Sequence, residues 1–305
     1  MNKLVRCTDK REAQGIACLI CDSRDARSLY TYWYNEQRCD IYRCCGCGHL
    51  FIHPQPLAVL DSRNMDTIED AEFFGNAFLK QLHEKLILNR EIKAISRFID
   101  NQQPTLLDIG CGTGWTTQVW KKNGFNVFGI EPSEVRGRFC RDTYGIEVFC
   151  GHIEDYKTER KFDVIIMRHL LEHIGEPLDV LKRVKAWLKQ DGILLIVIPN
   201  INSIGRFIFK ENWEWVLPWH LHFYTPQTLV RLLEKAGYEK LSIYQTPSPL
   251  WYPNSFKKAL GPQSRLGQFL NSTPTVFSLL PFLPLMTLGV IFNLNDNMTL
   301  FSRPR

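Results

Sequence analysis

The chain of 305 residues has no block of lysine or arginine, although its formal net charge is +5. Scattered basic residues do not make the electrostatic arm that grips a nucleic-acid backbone, so no nucleic-acid partner is expected. The first fifteen residues, MNKLVRCTDKREAQG, contain no apolar run of the kind that directs secretion. The chain is therefore expected to be cytoplasmic and its ten cysteines reduced. Internal repeats and low-complexity tracts are missing as well. Charge itself is missing from one long stretch: none occurs from Leu266 to Leu294, and TVFSLLPFLPLMTLGVIF (Thr275 to Phe292) is almost wholly apolar. A helix of that length would reach about 27 Å, close to a bilayer core. Pro281 and Pro284 interrupt it, which favours a broken hairpin that dips into one leaflet, covers a pocket or caps the domain.

The composition is otherwise that of a globular protein, 45% hydrophobic and 23% charged. Its cysteines are not evenly spread. Cys18 and Cys21 form one CxxC, and Cys44 and Cys47 form a second within RCCGCGHLF. Two thiolates on one tight turn can grip a single tetrahedral ion, and two such turns complete a closed, structural four-cysteine zinc site. Cys39, Cys45, His49 and His53 are alternative ligands by position. These residues define a zinc ribbon over 1–56, followed by a larger domain over 57–305 whose first helical stretch runs from about Ala71 to Ile99.

The most specific stretch is PTLLDIGCGTGWTTQVW. Leu106 to Ile109 read as a buried strand, Gly110 to Gly114 as a tight turn, and Trp115 onward as a helix. Glycines let the backbone approach a ligand closely, and the helix start offers free N–H groups. Asp108 at the strand end would repel a pyrophosphate and welcome an ammonium group.

LLDIGCGTG resembles the first motif of the class I S-adenosylmethionine-dependent methyltransferases, and FNVFGIEPS, VFCGHIEDY, FDVIIMRHLLEHI, LKQDGILLIVIPN, LVRLLEKAGYEKLSIY and DNMTLFSRP resemble its later segments in order. The resemblance implies an α/β fold, a Rossmann-like, doubly wound seven-stranded sheet whose last strand is antiparallel, with an apolar insertion at about 247–295. It implies S-adenosylmethionine as cofactor, held by Asp108, Gly110, Cys111, Gly112, Thr113, Gly114, Glu131, Pro132, His152, Ile153, Met167 and Arg168. Glu131 would accept from the ribose hydroxyls. His152 stands where the family often has aspartate.

Within the family, a cysteine ribbon followed by a segment like PWHLHFYT resembles enzymes of sugar, nucleotide-sugar and secondary-metabolite pathways. That implies O-methylation of a sugar, a polysaccharide precursor or a lipid-linked small molecule. A hydroxyl acceptor must lose a proton, and a histidine suits that task. The candidates are His220 first, then His222 and His173, with His169 beside them. If RHLLEHI is helical, His169 and His173 share a face; if PWHLHFYT is extended, His220 and His222 share a side. Thr225 and Pro226 read as an N-cap and first helical residue. Two other functions compete: an RNA base methyltransferase using the ribbon on RNA, and a catalytically silent S-adenosylmethionine-binding scaffold.

Overall fold

The computed structural model describes residues 5–6, 16–34, 37–56, 77–248, 251–261, 264–272 and 275–305. The start of the helical stretch expected from Ala71 lies outside these residues; the described part begins as the helix Ala77–His83 and ends as Asn89–Ile95 after a π-helical turn.

The strands in chain order are β1 (Val5–Arg6), β2 (Ala26–Tyr34), β3 (Gln37–Cys44), β4 (Leu50–His53), β5 (Thr105–Ile109), β6 (Asn126–Glu131), β7 (Glu147–Cys150), β8 (Phe162–Arg168), β9 (Leu188–Pro199), β10 (His222–Phe223), β11 (Tyr238–Thr246) and β12 (Asn297–Pro304). Seven of them form one sheet in the order β7-β6-β5-β8-β9-β12-β11. β5 to β9 are parallel to one another, while β12 runs antiparallel to both β9 and β11. The last strand thus inserts between two others rather than closing an edge. Buried on both faces, the central strands are near-continuous apolar runs. In β8 the alternation splits two cores, with Ile165 and Met167 packed into one and Val164 and Ile166 into the other.

Helices cover both faces, and local chemistry starts them as the sequence suggests. Ser133 accepts from the Arg136 N–H at the head of Glu134–Tyr144. Thr225 and Thr228 form a capping box at the head of Pro226–Lys235, with Pro226 in the first turn.

The ribbon does not stand apart. Its sheet has the order β1-β2-β3-β4-β10, so its last strand comes from PWHLHFYT. His222 pairs with Phe51 and Phe223 with Leu50. Cys18, Ile20, Tyr42 and Phe51 share a core with Tyr224, Leu229 and Leu232.

The apolar insertion folds as helices Trp251–Leu260, Arg265–Ser272, Thr275–Leu279 and Leu283–Ile291, with a 3-10 turn at Leu280–Phe282 holding Pro281. Among the described residues no helix is long and apolar enough to cross a membrane. Phe282 and Tyr252 pack inward on Phe209 and Trp213. Phe277 (61%), Ile291 (66%) and Phe292 (64%) remain exposed, beside Phe207 at 62% from the helix Ile204–Phe209.

The turn after β5 depends on backbone that only glycine adopts cheaply. Gly110, Gly112 and Gly114 have φ of 76°, 57° and 79°. A Cβ at Gly114 would lie 2.2 Å from Cys140 Sγ, whereas one at Gly112 would meet nothing within 4 Å. Gly114→Ala therefore carries both strain and a clash. It is expected to cost about 1–3 kcal/mol, read as a lower melting temperature. Unchanged melting would mean that the turn shifts freely.

Candidate active site

The carboxyl ends of β5, β6 and β8 lie side by side, the edge at which ligands bind in open α/β sheets. Glu131 ends β6 and is 5% exposed. Its Oε2 accepts the Gly112 N–H at 2.9 Å and its Oε1 the Ser133 N–H at 3.0 Å. The carboxylate thus pins the glycine turn beside it. Gly112, facing open space on that turn, is where a ligand can approach the backbone.

Asp108 is 3% exposed and accepts the Thr117 hydroxyl at 2.6 Å. Burial raises its pKa to about 6, with Thr117 and Arg168 opposing that rise and Glu131 and Glu91 adding to it. Arg168 ends β8 and pairs with Glu91, a fully buried carboxylate from the helix Asn89–Ile95. Burial pushes the Glu91 pKa up against the pull of Arg168. Sequence reasoning missed Glu91 and Thr117, since neither sits in a motif that marks a carboxylate partner. Met167 and Arg168 close β8 itself rather than following it. Cys111 and Thr113 are buried in the turn, Pro132 is half-buried after β6, and His152 is exposed while Ile153 is buried after β7.

The histidines are distributed otherwise than expected. RHLLEHI does not continue as an α-helix. His169 takes φ 49°, and Leu171–His173 is a 3-10 turn. His169 stacks on Trp215 with ring centroids 4.9 Å apart, and its Nδ1 lies 3.5 Å from Glu172 Oε1, too poorly aligned to hydrogen-bond. A non-glycine residue at positive φ is the kind of strain found at functional sites.

His220 and His222 do not share surroundings, because only His222–Phe223 is strand. His220 is 2% exposed and meets His173 edge-to-face at 4.7 Å and Trp215 at 5.6 Å. Burial, with His173 and His169 nearby, holds its pKa well below the usual value. His222 lies on the ribbon side. Its Nε2 is 3.3 Å from the Gly175 carbonyl and its Nδ1 3.3 Å from His49 Nε2. A carbonyl only accepts, so Nε2 carries the proton and Nδ1 accepts from His49. Burial lowers the His222 pKa to about 4. His173 is half-buried, its Nδ1 bonded to the Trp219 carbonyl at 2.9 Å.

The cysteine ribbon brings Cys18, Cys21, Cys44 and Cys47 into one group, with all four sulfurs within 4.8 Å of one another. The Cys18–Cys47 and Cys21–Cys44 sulfurs are 3.6 and 3.5 Å apart. A tetrahedral zinc with bonds of about 2.3 Å requires sulfur separations of about 3.8 Å, so the donor set fits. Cys45 and His53 are exposed, and Cys39 and His49 are buried elsewhere in the ribbon.

A methyltransferase-domain profile matches residues 78–243, more than half of the chain. A ubiquinone biosynthesis O-methyltransferase of Dinoroseobacter shibae is 30% identical over 147 residues, covering 44% of this chain and 59% of that protein. One of the same name from Coxiella burnetii is 29% identical over 205 residues, covering 60% of this chain and 87% of that protein. The chain thus spans little more than half the length of the first of these relatives. Among solved structures, a Galdieria sulphuraria protein described as a sarcosine dimethylglycine methyltransferase aligns with a TM-score of 0.51 at 16% identity, over 73% of this chain and 85% of that one. That likeness concerns the fold. With the matching profile over a sheet of this order and a glycine turn clasped by Glu131, the chain belongs to the methyltransferase-domain family.

Proposed function

We propose that the chain is an S-adenosylmethionine-dependent O-methyltransferase acting on a hydroxyl of a lipid-linked small molecule. The observation that carries the cofactor reading is the Glu131 carboxylate clamped to the Gly112 turn, with open space over Gly112. Asp108 and Glu131 give this edge the negative character that suits an ammonium and a pair of ribose hydroxyls. When bound, the cofactor supplies a methyl group made electrophilic by its sulfonium. The chain's own residues position the acceptor, exclude water and take its proton.

Among the histidines, His169 suits the proton-accepting role best. It is half-buried, strained and placed directly after β8. His222 has both ring nitrogens engaged. His220 is nearly sealed from solvent, and His173 has one nitrogen held by a carbonyl. The lipid-linked acceptor draws support from the names of the relatives and from the exposed apolar residues of 277–292, with Phe207 and Ile208. Exposed Lys210, at the end of the helix carrying those two residues, would favour an anionic lipid surface, giving a peripheral site at the inner face of the membrane. A sugar acceptor is the reading that a screen of acceptors would set against this one. For the RNA reading, the described ribbon offers the exposed cross-strand pair Arg27 and Arg43, with Arg24 and Arg27 interleaved with Asp22 and Asp25 in sequence. Zinc in the four-cysteine group would be structural, and the two-part division at residue 56 falls just after β4, although the ribbon sheet also takes in β10.

Titration calorimetry with S-adenosylmethionine tests the first part. Binding is expected in the wild type and a loss of about 1–3 kcal/mol in Glu131→Ala, as for a removed charged hydrogen-bond partner; no binding to the wild type overturns the enzyme reading. With an acceptor in hand, His169→Asn should lower kcat by about 100-fold. An equal loss in His220→Asn alone, with His169→Asn active, would return the role to His220.

Flotation with vesicles of anionic phospholipid should carry the wild type upward and leave Phe277→Ser/Ile291→Ser/Phe292→Ser behind. A wild type that stays at the bottom removes the membrane contact.

Metal analysis should find zinc held by the cysteines. Stripping it with chelator should lower the melting temperature and weaken acceptor turnover too, because the ribbon sheet includes β10.

A further inference from the structure

A second group of metal-ligating side chains lies away from the cysteines. Ligand atoms of Glu172, His173 and His220 all fall within 4.8 Å of one another. Glu172 is 1% exposed, and neither of its carboxylate oxygens has a hydrogen-bond partner. Native structures rarely leave a buried carboxylate so, and an ion is one of the ordinary reasons for it.

The histidines point the same way. The Trp219 carbonyl holds the proton of His173 on Nδ1, which leaves Nε2 with its lone pair free. The backbone of Trp215 is likewise a hydrogen-bond partner of the His220 ring. Metal-bound imidazoles are commonly oriented in this way, one nitrogen donating to a carbonyl while the other ligates.

We propose that Glu172, His173 and His220 bind a divalent first-row transition cation in a two-histidine, one-carboxylate site separate from the cysteine ribbon. Imidazole and carboxylate donors suit zinc, cobalt, iron or manganese, whereas the thiolate group selects softer partners. Three protein ligands leave a coordination position open. The 3-10 turn Leu171–His173 comes soon after the carboxyl end of β8, which puts the group near that edge of the sheet. Binding of the cation does not rest on the function proposed above.

The test is a titration with Co2+ of full-length protein carrying one equivalent of zinc, held by the cysteines, followed by visible absorption. One equivalent is expected to bind with d–d bands and no thiolate charge-transfer band. Glu172→Gln and His220→Asn should each weaken it by more than about tenfold. No Co2+ binding by the wild type overturns the proposal, as does a spectrum showing only thiolate charge transfer, which would mark exchange at the cysteines. Equal affinity in folded Glu172→Gln also overturns it, with fold checked by far-UV circular dichroism and melting. If that variant does not fold, the stoichiometry and spectrum of the wild type decide. S-adenosylmethionine binding is measured on the same samples. Cobalt bound without it would retain the metal site and remove the methyltransferase reading; the converse would do the reverse.

Discussion

The backbone of Leu221 joins the two halves of the molecule. Its N–H donates to the Glu172 carbonyl at 2.7 Å, and its carbonyl accepts the Ile52 N–H at 2.9 Å. One residue thereby fixes the ribbon to the loop after β8. His222 continues the joint through His49 on one side and the Gly175 carbonyl on the other. Leu221 is itself fully buried, so these bonds are made out of competition with water, where leaving either group unpaired is costly. Because of this pairing, His220 is held against His173 and Trp215 rather than left on a free loop. The cysteine ribbon is therefore a brace for the site as well as a fold of its own.

A second constraint is charge. Glu91, Asp108, Glu131 and Glu172 are all nearly sealed from solvent on one side of the sheet's carboxyl edge, and Arg168 is the cation among them, paired with Glu91. Burial pushes the pKa of Glu91 and of Asp108 up. Glu131 accepts from two backbone N–H groups, and Asp108 from the Thr117 hydroxyl. Burial raises Asp108 to about 6, a rise that Thr117 and Arg168 oppose without cancelling. An ammonium or sulfonium nearby would reverse it, so the edge is built for a cationic ligand and is less comfortable without one.

What was legible in the sequence was local. The strand–turn–helix of LLDIGCGTG needs only an apolar strand, three glycines at positive φ and the helix start that follows them, all within seventeen residues. Glu131 is readable because parallel strands bring residue ends together at a predictable register. Thr225 and Pro226 announce their helix by their own chemistry. What was not legible joins distant segments. Nothing near Glu91 marks it as the partner of Arg168, 77 residues away. Glu172 and His220 meet because β10 leaves the larger domain to pair with β4, and a two-residue strand carries no periodicity to detect. RHLLEHI has helical spacing, but Leu171–His173 forms only a 3-10 turn and His169 breaks the run at φ 49°; the tertiary joint at Leu221 overrides the local pattern.

The same topology ties the apolar helices to the site. β11 lies parallel to β9, since both are antiparallel to β12, and it ends at Thr246 opposite Asn297. Asn297 in turn faces Pro199, the last residue of β9. The insertion between β11 and β12 must therefore leave and re-enter at the carboxyl edge, the edge that carries the glycine turn, Arg168 and His169. Asn200, just beyond β9, stitches that entry closed: its N–H donates to the Asp296 carbonyl, and its side-chain amide to the carbonyls of Asn202 and Asn295 and to Gln245. An insertion in one of the helix-to-strand connections would instead have put its exposed phenylalanines at the opposite edge. Here the exposed apolar residues of the insertion and the buried carboxylates share one side of the sheet, an arrangement that would suit an acceptor with an apolar tail and a reactive polar head.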